Sequence, residues 1–293
     1  MQDFFPNLKN QIKIENALYV VATPIGNLGD ITLRALQVLS GVDFVICEDT
    51  RVSNKLLEAY EIREKKMITY NDHCDEKVRN KIFDLLIRGH SMALISDAGT
   101  PLISDPGYKL VNFLRINNRK IIPIPGASAV ASALCVSGLA CDNFLFLGFL
   151  PSSKIQKEKL LKSLPREFTL VFFEAANRVI ESLELIQKNL GNRKICAARE
   201  ITKLYEEIVS DEVENVLQFF VKQSEKLRGE FVILVEKADK NENNFTEEEL
   251  IKQIGSAISS GLSLKDLSSD LSEIYGIKKK EVYQLALSIS KKE

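Results

Sequence analysis

The sequence has no tryptophan, two histidines and five cysteines in 293 residues, and each scarcity removes a class of function. His73 and His90 are too few for a histidine-rich metal centre, so no metal is expected. Cys47, Cys74, Cys135, Cys141 and Cys196 are scattered, odd in number and form no C-x-x-C pair. That pattern predicts free thiols in a reducing compartment, not a disulfide frame or a zinc site. No apolar run approaches the roughly 18 residues a membrane span needs. The first residues, Met1-Gln2-Asp3-Phe4-Phe5-Pro6, lack the basic-then-apolar order of a secretory leader. The expectation is a cytoplasmic protein with no membrane partner. Excess positive charge is missing as well. Lys and Arg number 39 against 40 Asp and Glu, for a net charge of -1, so nucleic-acid binding must come from a local patch. Neither G-x-G-x-x-G nor G-x-x-x-x-G-K-[ST] occurs, which removes the best support for dinucleotide or nucleoside-triphosphate binding. There is no G-x-S-x-G elbow either.

What is present is ordinary in bulk and distinctive in its loops. The 45% hydrophobic and 27% charged fractions are those of a soluble globular protein, and the length suggests two domains. The densest loop is Ser96–Gly107 (SDAGTPLISDPG), which follows the apolar run Met92–Ile95 and precedes a helical pattern from Tyr108. Asp105 or Ser104 is a plausible N-cap there, with Pro106 in the first turn. Two glycines and two prolines fix the path of this loop and allow close backbone approach. Asp97 beside that backbone suits the hydroxyl or amine of a neutral or cationic ligand better than a phosphate. A tight strand–helix turn explains the same residues.

Along the chain, residues 1–16 read as a polar arm. Strands at Ala17–Ala22, Val42–Cys47, Met67–Tyr70 and Met92–Ile95 alternate with helical patterns. This implies a parallel sheet whose carboxyl ends share one edge. Thr23–Asp30, Glu48–Arg51, Asn71–His73 and Asp97–Pro106 then converge on one crevice. A second α/β unit begins near Pro123, with a small-residue helix from Ala127 and strands at Phe144–Leu147, Thr169–Phe173, Lys194–Ala198 and Gly229–Val235. The expected division is an arm (1–16), an α/β domain (17–122), a second α/β domain (123–237), a linker (238–245) and a small helical appendage (246–293). The best basic stretch is Lys154, Lys157, Lys159 and Lys162, opposed by Glu158 alone. A solvated helix face explains it equally, and Lys278–Lys280 is a weaker second candidate.

Seven segments in order carry a resemblance. They are Leu18–Asp30, Cys47–Arg51, Ser96–Gly107, Pro125–Ala129, Phe172–Arg178, Ala198–Lys203 and Gly229-Glu230. Together, from about residue 17 to the C-terminus, the chain resembles the ribosomal small-subunit RNA 2'-O-methyltransferases of the tetrapyrrole methylase superfamily. The resemblance implies two α/β domains of that type with S-adenosylmethionine between them. It implies methylation of a cytidine ribose hydroxyl in 16S rRNA of the small ribosomal subunit, by a homodimer. It places the cofactor against Pro24, Ala98, Gly99, Thr100, Ile103, Ser128, Ala129, Phe173, Glu174, Arg199, Glu200 and Ile201, with Asp97 as the neighbouring carboxylate. A basic stretch after Phe-Leu-Pro is also a family trait.

The sulfonium methyl is already activated, so alignment of oxygen, carbon and sulfur carries most of the catalysis, up to about 7–11 kcal/mol. A general base adds about 10²–10⁴-fold. Glu48, Asp49, His73 and Glu200 are candidates for it, with Lys203 or Arg51 holding a phosphate or lowering the hydroxyl pKa. Glu48, His73 and Lys203 are the catalytic choices; Arg51, Lys154, Lys157, Lys159 and Lys162 are the substrate-binding choices. Helix capping by Asp49 and a surface ion pair at Arg51 explain those two equally well. Two other functional classes stay open: a methylase of a tetrapyrrole-like metabolite, and a non-catalytic RNA-binding module. The basic helix and the appendage count against the first, and the cofactor loops against the second.

Overall fold

The computed structural model describes residues 13–72, 76–238, 247–259, 262–275 and 278–290. The apolar runs of the first half form β1 (Leu18–Val21), β2 (Phe44–Cys47), β3 (Lys66–Thr69), β4 (Met92–Leu94) and β5 (Ile121–Ile124). They pair in the order β3-β2-β4-β1-β5, all parallel. Such a sheet must be covered on both faces. α1 (Leu33–Gly41) and α2 (Thr50–Ala59) bury Ala35, Val38, Leu39 and Leu57 on one side. α3 (Glu76–Ile87) and α4 (Tyr108–Ile116) bury Ile82, Leu86, Leu110 and Leu114 on the other. Because every strand runs the same way, the exits of β1, β2, β3 and β4 lie along one edge, as expected.

The second half forms a mixed sheet. α5 (Ala129–Ser137) leads to β6 (Phe144–Phe149), α6 (Lys154–Ser163), β7 (Thr169–Ala175), α7 (Val179–Leu190) and β8 (Lys194–Arg199). β9 (Glu207–Glu212), α8 (Val213–Lys222) and β10 (Glu230–Val235) complete it, in the order β6-β7-β10-β8-β9. Only β6 and β7 are parallel; the other pairings are antiparallel. α5 covers one face through Val130, Ala133 and Leu134, and α6–α8 cover the other. α9 (Glu247–Ser259), α10 (Leu264–Tyr275) and α11 (Lys279–Ser290) share a separate small core of Leu250, Ile254, Leu267, Leu271, Val282 and Ala286. The expected α/β class, with two α/β domains and a helical appendage, is what the chain forms.

Three details differ from expectation. The division at 122/123 falls inside β5, which pairs with β1 as the last strand of the first sheet. Pro123 is tolerated there because an edge strand need not donate on its outer side. β9 is an edge strand the sequence does not announce, since its run EIVSDE is mostly polar and mostly exposed. The N-cap of α4 is Gly107, with no side-chain capping bond, so neither Asp105 nor Ser104 caps it. Of the expected arm, residues 13–16 lie against the first unit, where Glu15 pairs with Lys120. Residues 1–12 and 239–245 lie outside the described residues. Four described cysteines are free, and burial pushes the Cys47 thiol up and that of Cys196 up to about 11. Among the described residues no helix is long and apolar enough to cross a membrane.

Candidate active site

The long loop after β4 is held by backbone bonds to the loop after β1. Thr23 N donates to the Gly99 carbonyl (2.8 Å) and Gly99 N donates back to Thr23 (3.0 Å). Thr100 Oγ1 donates to the Ala127 carbonyl (3.0 Å), which fastens the same loop to the exit of β5. Three exits of one parallel sheet therefore meet at its carboxyl edge, where open α/β sheets bind ligands. The backbone there is strained. Leu102 (φ 74°) and Ser104 (φ 64°) sit in the left-handed region, as do Glu200 (φ 49°) and Thr202 (φ 68°) on the facing loop after β8. Such residues cost on the order of 1–3 kcal/mol each and gather at functional sites.

Between these loops is a cavity of about 270 Å³. Its walls come from Ile25, Asp97, Ala98, Gly99, Thr100, Ile103, Ser104 and Asp105 on the first unit, with Ser128, Ala129 and Val130 at the start of α5. The second unit closes it with Phe149, Phe173, Ala198, Glu200, Ile201, Lys203, Glu230, Phe231 and Val232. Ten of the expected cofactor residues line it: Asp97, Ala98, Gly99, Thr100, Ile103, Ser128, Ala129, Phe173, Glu200 and Ile201. Lys203, one of the expected catalytic residues, lines it too.

The electrostatics are acidic. Lys203 Nζ lies 2.8 Å from Glu200 Oε1 and 3.1 Å from Glu230 Oε2. Burial opposes both charges, but these bonds hold the Glu200 carboxyl below its ordinary pKa and the Lys203 ammonium above it. Asp105 has no such partner. Burial, with Glu48 and Asp97 nearby, outweighs a bond from Ser96 and pushes it up to about 6. Between about pH 4 and 6 the folded chain thus holds a proton the unfolded chain releases, and stability falls as pH rises through that window. Asp105→Asn is expected to be more stable than wild type at pH 7.5, by on the order of 1–2 kcal/mol after screening of a half-exposed group, and so to unfold at a higher temperature. The two should coincide near pH 4, and melting curves at the two pH values check it.

Several expected site residues lie elsewhere. Pro24 is displaced by its neighbour Ile25, which takes the wall. Glu174 faces away: successive strand residues point to opposite faces, so Phe173 at the cavity sends Glu174 under α7. There it is fully buried, bonded by Arg178 Nε (2.7 Å) and Ser182 Oγ (2.5 Å). Arg199 likewise turns from the cavity, with Nε on the Arg228 carbonyl (2.8 Å) and Nη1 3.4 Å from Glu207. Lys157 is no phosphate contact. It is fully buried, with Nζ 2.9 Å from Ser182 Oγ, 3.2 Å from Glu181 and 3.6 Å from Glu174. Lys154 and Lys159 remain exposed, and Lys162 pairs with Glu158 (3.1 Å). Arg51 pairs with Asp49 (2.6 Å), the N-cap of α2, so the cap and surface pair are what those residues form. Glu48 is exposed at the exit of β2 and does not line the cavity. His73 lies outside the described residues. Asp105, Phe149 and Glu230 are site residues that the sequence reading did not select.

Residues 17–217 match the family described as Tetrapyrrole (Corrin/Porphyrin) Methylases. The chain belongs to this family. As a tetrapyrrole methylase it is 44% identical over 272 residues to the ribosomal RNA small subunit methyltransferase I of Pasteurella multocida (strain Pm70), covering 92% of this chain and 96% of that protein. It is 43% identical over 277 residues to the protein of the same name from Rickettsia prowazekii (strain Madrid E), covering 93% and 96%. Among solved structures, the methyltransferase CobJ shares the fold at a TM-score of 0.56 and 16% identity, over 76% of this chain and 94% of that one. The cavity of this tetrapyrrole methylase suits S-adenosylmethionine. Four carboxylates against one ammonium favour a cationic sulfonium, and the exposed backbone of the Gly99 loop and the apolar Ile25, Ile103 and Phe173 offer no phosphate cradle.

Proposed function

We propose that the chain transfers a methyl group from S-adenosylmethionine to a cytidine ribose 2'-hydroxyl of 16S rRNA in the small ribosomal subunit. The observation that carries the reading is the acidic, phosphate-unfriendly cavity between the two α/β units. The relatives named for small-subunit ribosomal RNA, at over 40% identity along nearly the whole chain, support the substrate. When bound, S-adenosylmethionine supplies an activated methyl group. The chain's own residues hold and align: Asp97 and the Gly99–Thr100 backbone on the donor side, Phe173 and Ile201 on the opposite wall. Lys203, fixed by Glu200 and Glu230, sits where it can orient the acceptor ribose. Asp105, ionised above about pH 6, is the cavity carboxylate available to take the hydroxyl proton. Alignment is the larger contribution, and a base adds about 10²–10⁴-fold.

The charge balance confines the RNA to a patch, for which exposed Lys154 at the start of α6 and Lys159 in its middle are the nearest source in sequence to the cavity residue Phe149. A cytoplasmic homodimer goes with this reading. Leu204 and Tyr205, 89% and 73% exposed before the edge strand β9, are apolar surface that a second copy would cover. Labelled-methyl transfer offered in parallel to 30S particles, naked 16S rRNA and a tetrapyrrole tests the function. Label is expected in the ribosomal RNA. Label in the tetrapyrrole alone would replace this reading with a metabolite methylase.

A further inference from the structure

We propose that Phe149 is the face on which the base of the target nucleotide stacks once it has left its helix. The inference rests on the reading of ribosomal RNA as substrate. It begins with a register shift. β6 pairs with β7 at Phe144–Thr169, Leu145–Leu170 and Phe146–Val171, then resumes at Phe149–Phe173, three steps on one strand against two on the other. In a regular strand Phe146 and Phe149 would point to opposite faces. The extra residue returns Phe149 to the face of Phe146, and both rings meet Phe173 edge-on, at centroid distances of 4.9 and 5.5 Å. Bulges of this kind re-aim side chains beside active sites.

Gly148 makes the turn possible. Its φ is +67°, and a Cβ there would stand 3.1 Å from Ser104 Oγ on the facing loop. The bulge therefore sits where the two units approach, and it delivers an aromatic ring to the cavity wall. That ring is supported from behind by Phe173 yet is 55% exposed. Among the described residues Phe149 has no other ring contact. Ile103, 45% exposed, lies on the opposite wall.

A half-exposed phenyl face on the cavity wall, backed by Phe173, fits a flat heterocycle. Two could reach it: the adenine of the methyl donor and the base of the acceptor. The position favours the acceptor. Phe149 ends β6, and five residues on, across Pro151, α6 opens with exposed Lys154, where a nucleic-acid backbone would be met. Sequence-specific RNA recognition targets unstacked bases received on aromatic side chains, and a base held on such a face fixes the ribose attached to it.

The test uses the full chain with Phe149→Ala and Phe149→Trp, and 30S particles lacking the modification. Phe149→Ala should lower kcat/KM for 30S by about 5- to 150-fold, the range for losing one base stack, chiefly through KM. Calorimetric affinity for S-adenosylhomocysteine should stay within about twofold, and Phe149→Trp should restore kcat/KM to near wild type. An unchanged kcat/KM in the alanine variant overturns the proposal. So does a parallel loss of S-adenosylhomocysteine affinity, which assigns the ring to the donor's adenine. Equal impairment of both variants also overturns it, because a stacking face for a base tolerates tryptophan. A wild-type protein that binds S-adenosylhomocysteine but leaves 30S unlabelled overturns the ribosomal reading itself, before any variant is compared.

Discussion

Gly99→Val should abolish measurable binding of S-adenosylmethionine, a loss of at least about 100-fold, or roughly 2.7 kcal/mol. Gly99 sits at φ +76°, and a Cβ there would lie 3.2 Å from Ile25 Cγ2. Valine therefore carries a left-handed backbone cost of about 1–2 kcal/mol, and its branches crowd the wall that Ile25 shares with the loop. The two backbone bonds to Thr23 that hold the loop closed are strained at the same time. Gly89→Val provides the control. Gly89 has φ +95° and open space around its missing Cβ, between α3 and β4. It bears the backbone cost without the cavity. Calorimetry on both variants should show binding lost in the first and kept in the second; retained binding in Gly99→Val would reduce the loop to a turn.

The second large effect lies beneath the cavity. Glu174→Ala should destabilise the fold by about 3–5 kcal/mol, because Lys157 then keeps a buried charge with its nearest fully buried anion removed. Glu174 and Lys157 are both fully buried, and Arg178 and Ser182 bond the same carboxylate. The bonds join α6, α7 and β7 directly behind Phe173. The double change Glu174→Gln with Lys157→Met removes both charges and should recover most of the loss, since hydrophobic replacements of buried pairs are often neutral. Urea unfolding measures both. A loss below about 1 kcal/mol in Glu174→Ala would mean that solvent reaches the ammonium. Lys157→Ala is expected to lower stability while leaving the salt dependence of RNA binding unchanged.

The loops were the legible part of the site. Glycine, proline and short polar residues at successive strand exits mark backbone that must turn tightly, and parallel strands place those exits on one edge. Where motif and periodicity disagree, periodicity places the side chain. Lys157 belongs to a lysine-rich run, but it lies one helical turn before the buried Leu161 and shares its inward face. Glu174 follows Phe173 in a motif, yet strand alternation alone separates them. Asp105 was hidden by its resemblance to a helix cap. Phe149 could not be assigned a face from spacing, because a bulge resets the alternation. β9 carries no apolar run, since an outer strand needs few buried side chains.

The chemical form of the transferred methyl group tests the central claim most directly. After incubation with labelled S-adenosylmethionine and 30S particles, the 16S rRNA is hydrolysed in alkali, which needs a free 2'-hydroxyl to cut the following phosphodiester. A ribose methylase acting between these two α/β units leaves the label in an alkali-resistant dinucleotide that contains cytidine, and Gly99→Val leaves none. Label released in a mononucleotide would place the methyl on a base and contradict the proposed reaction.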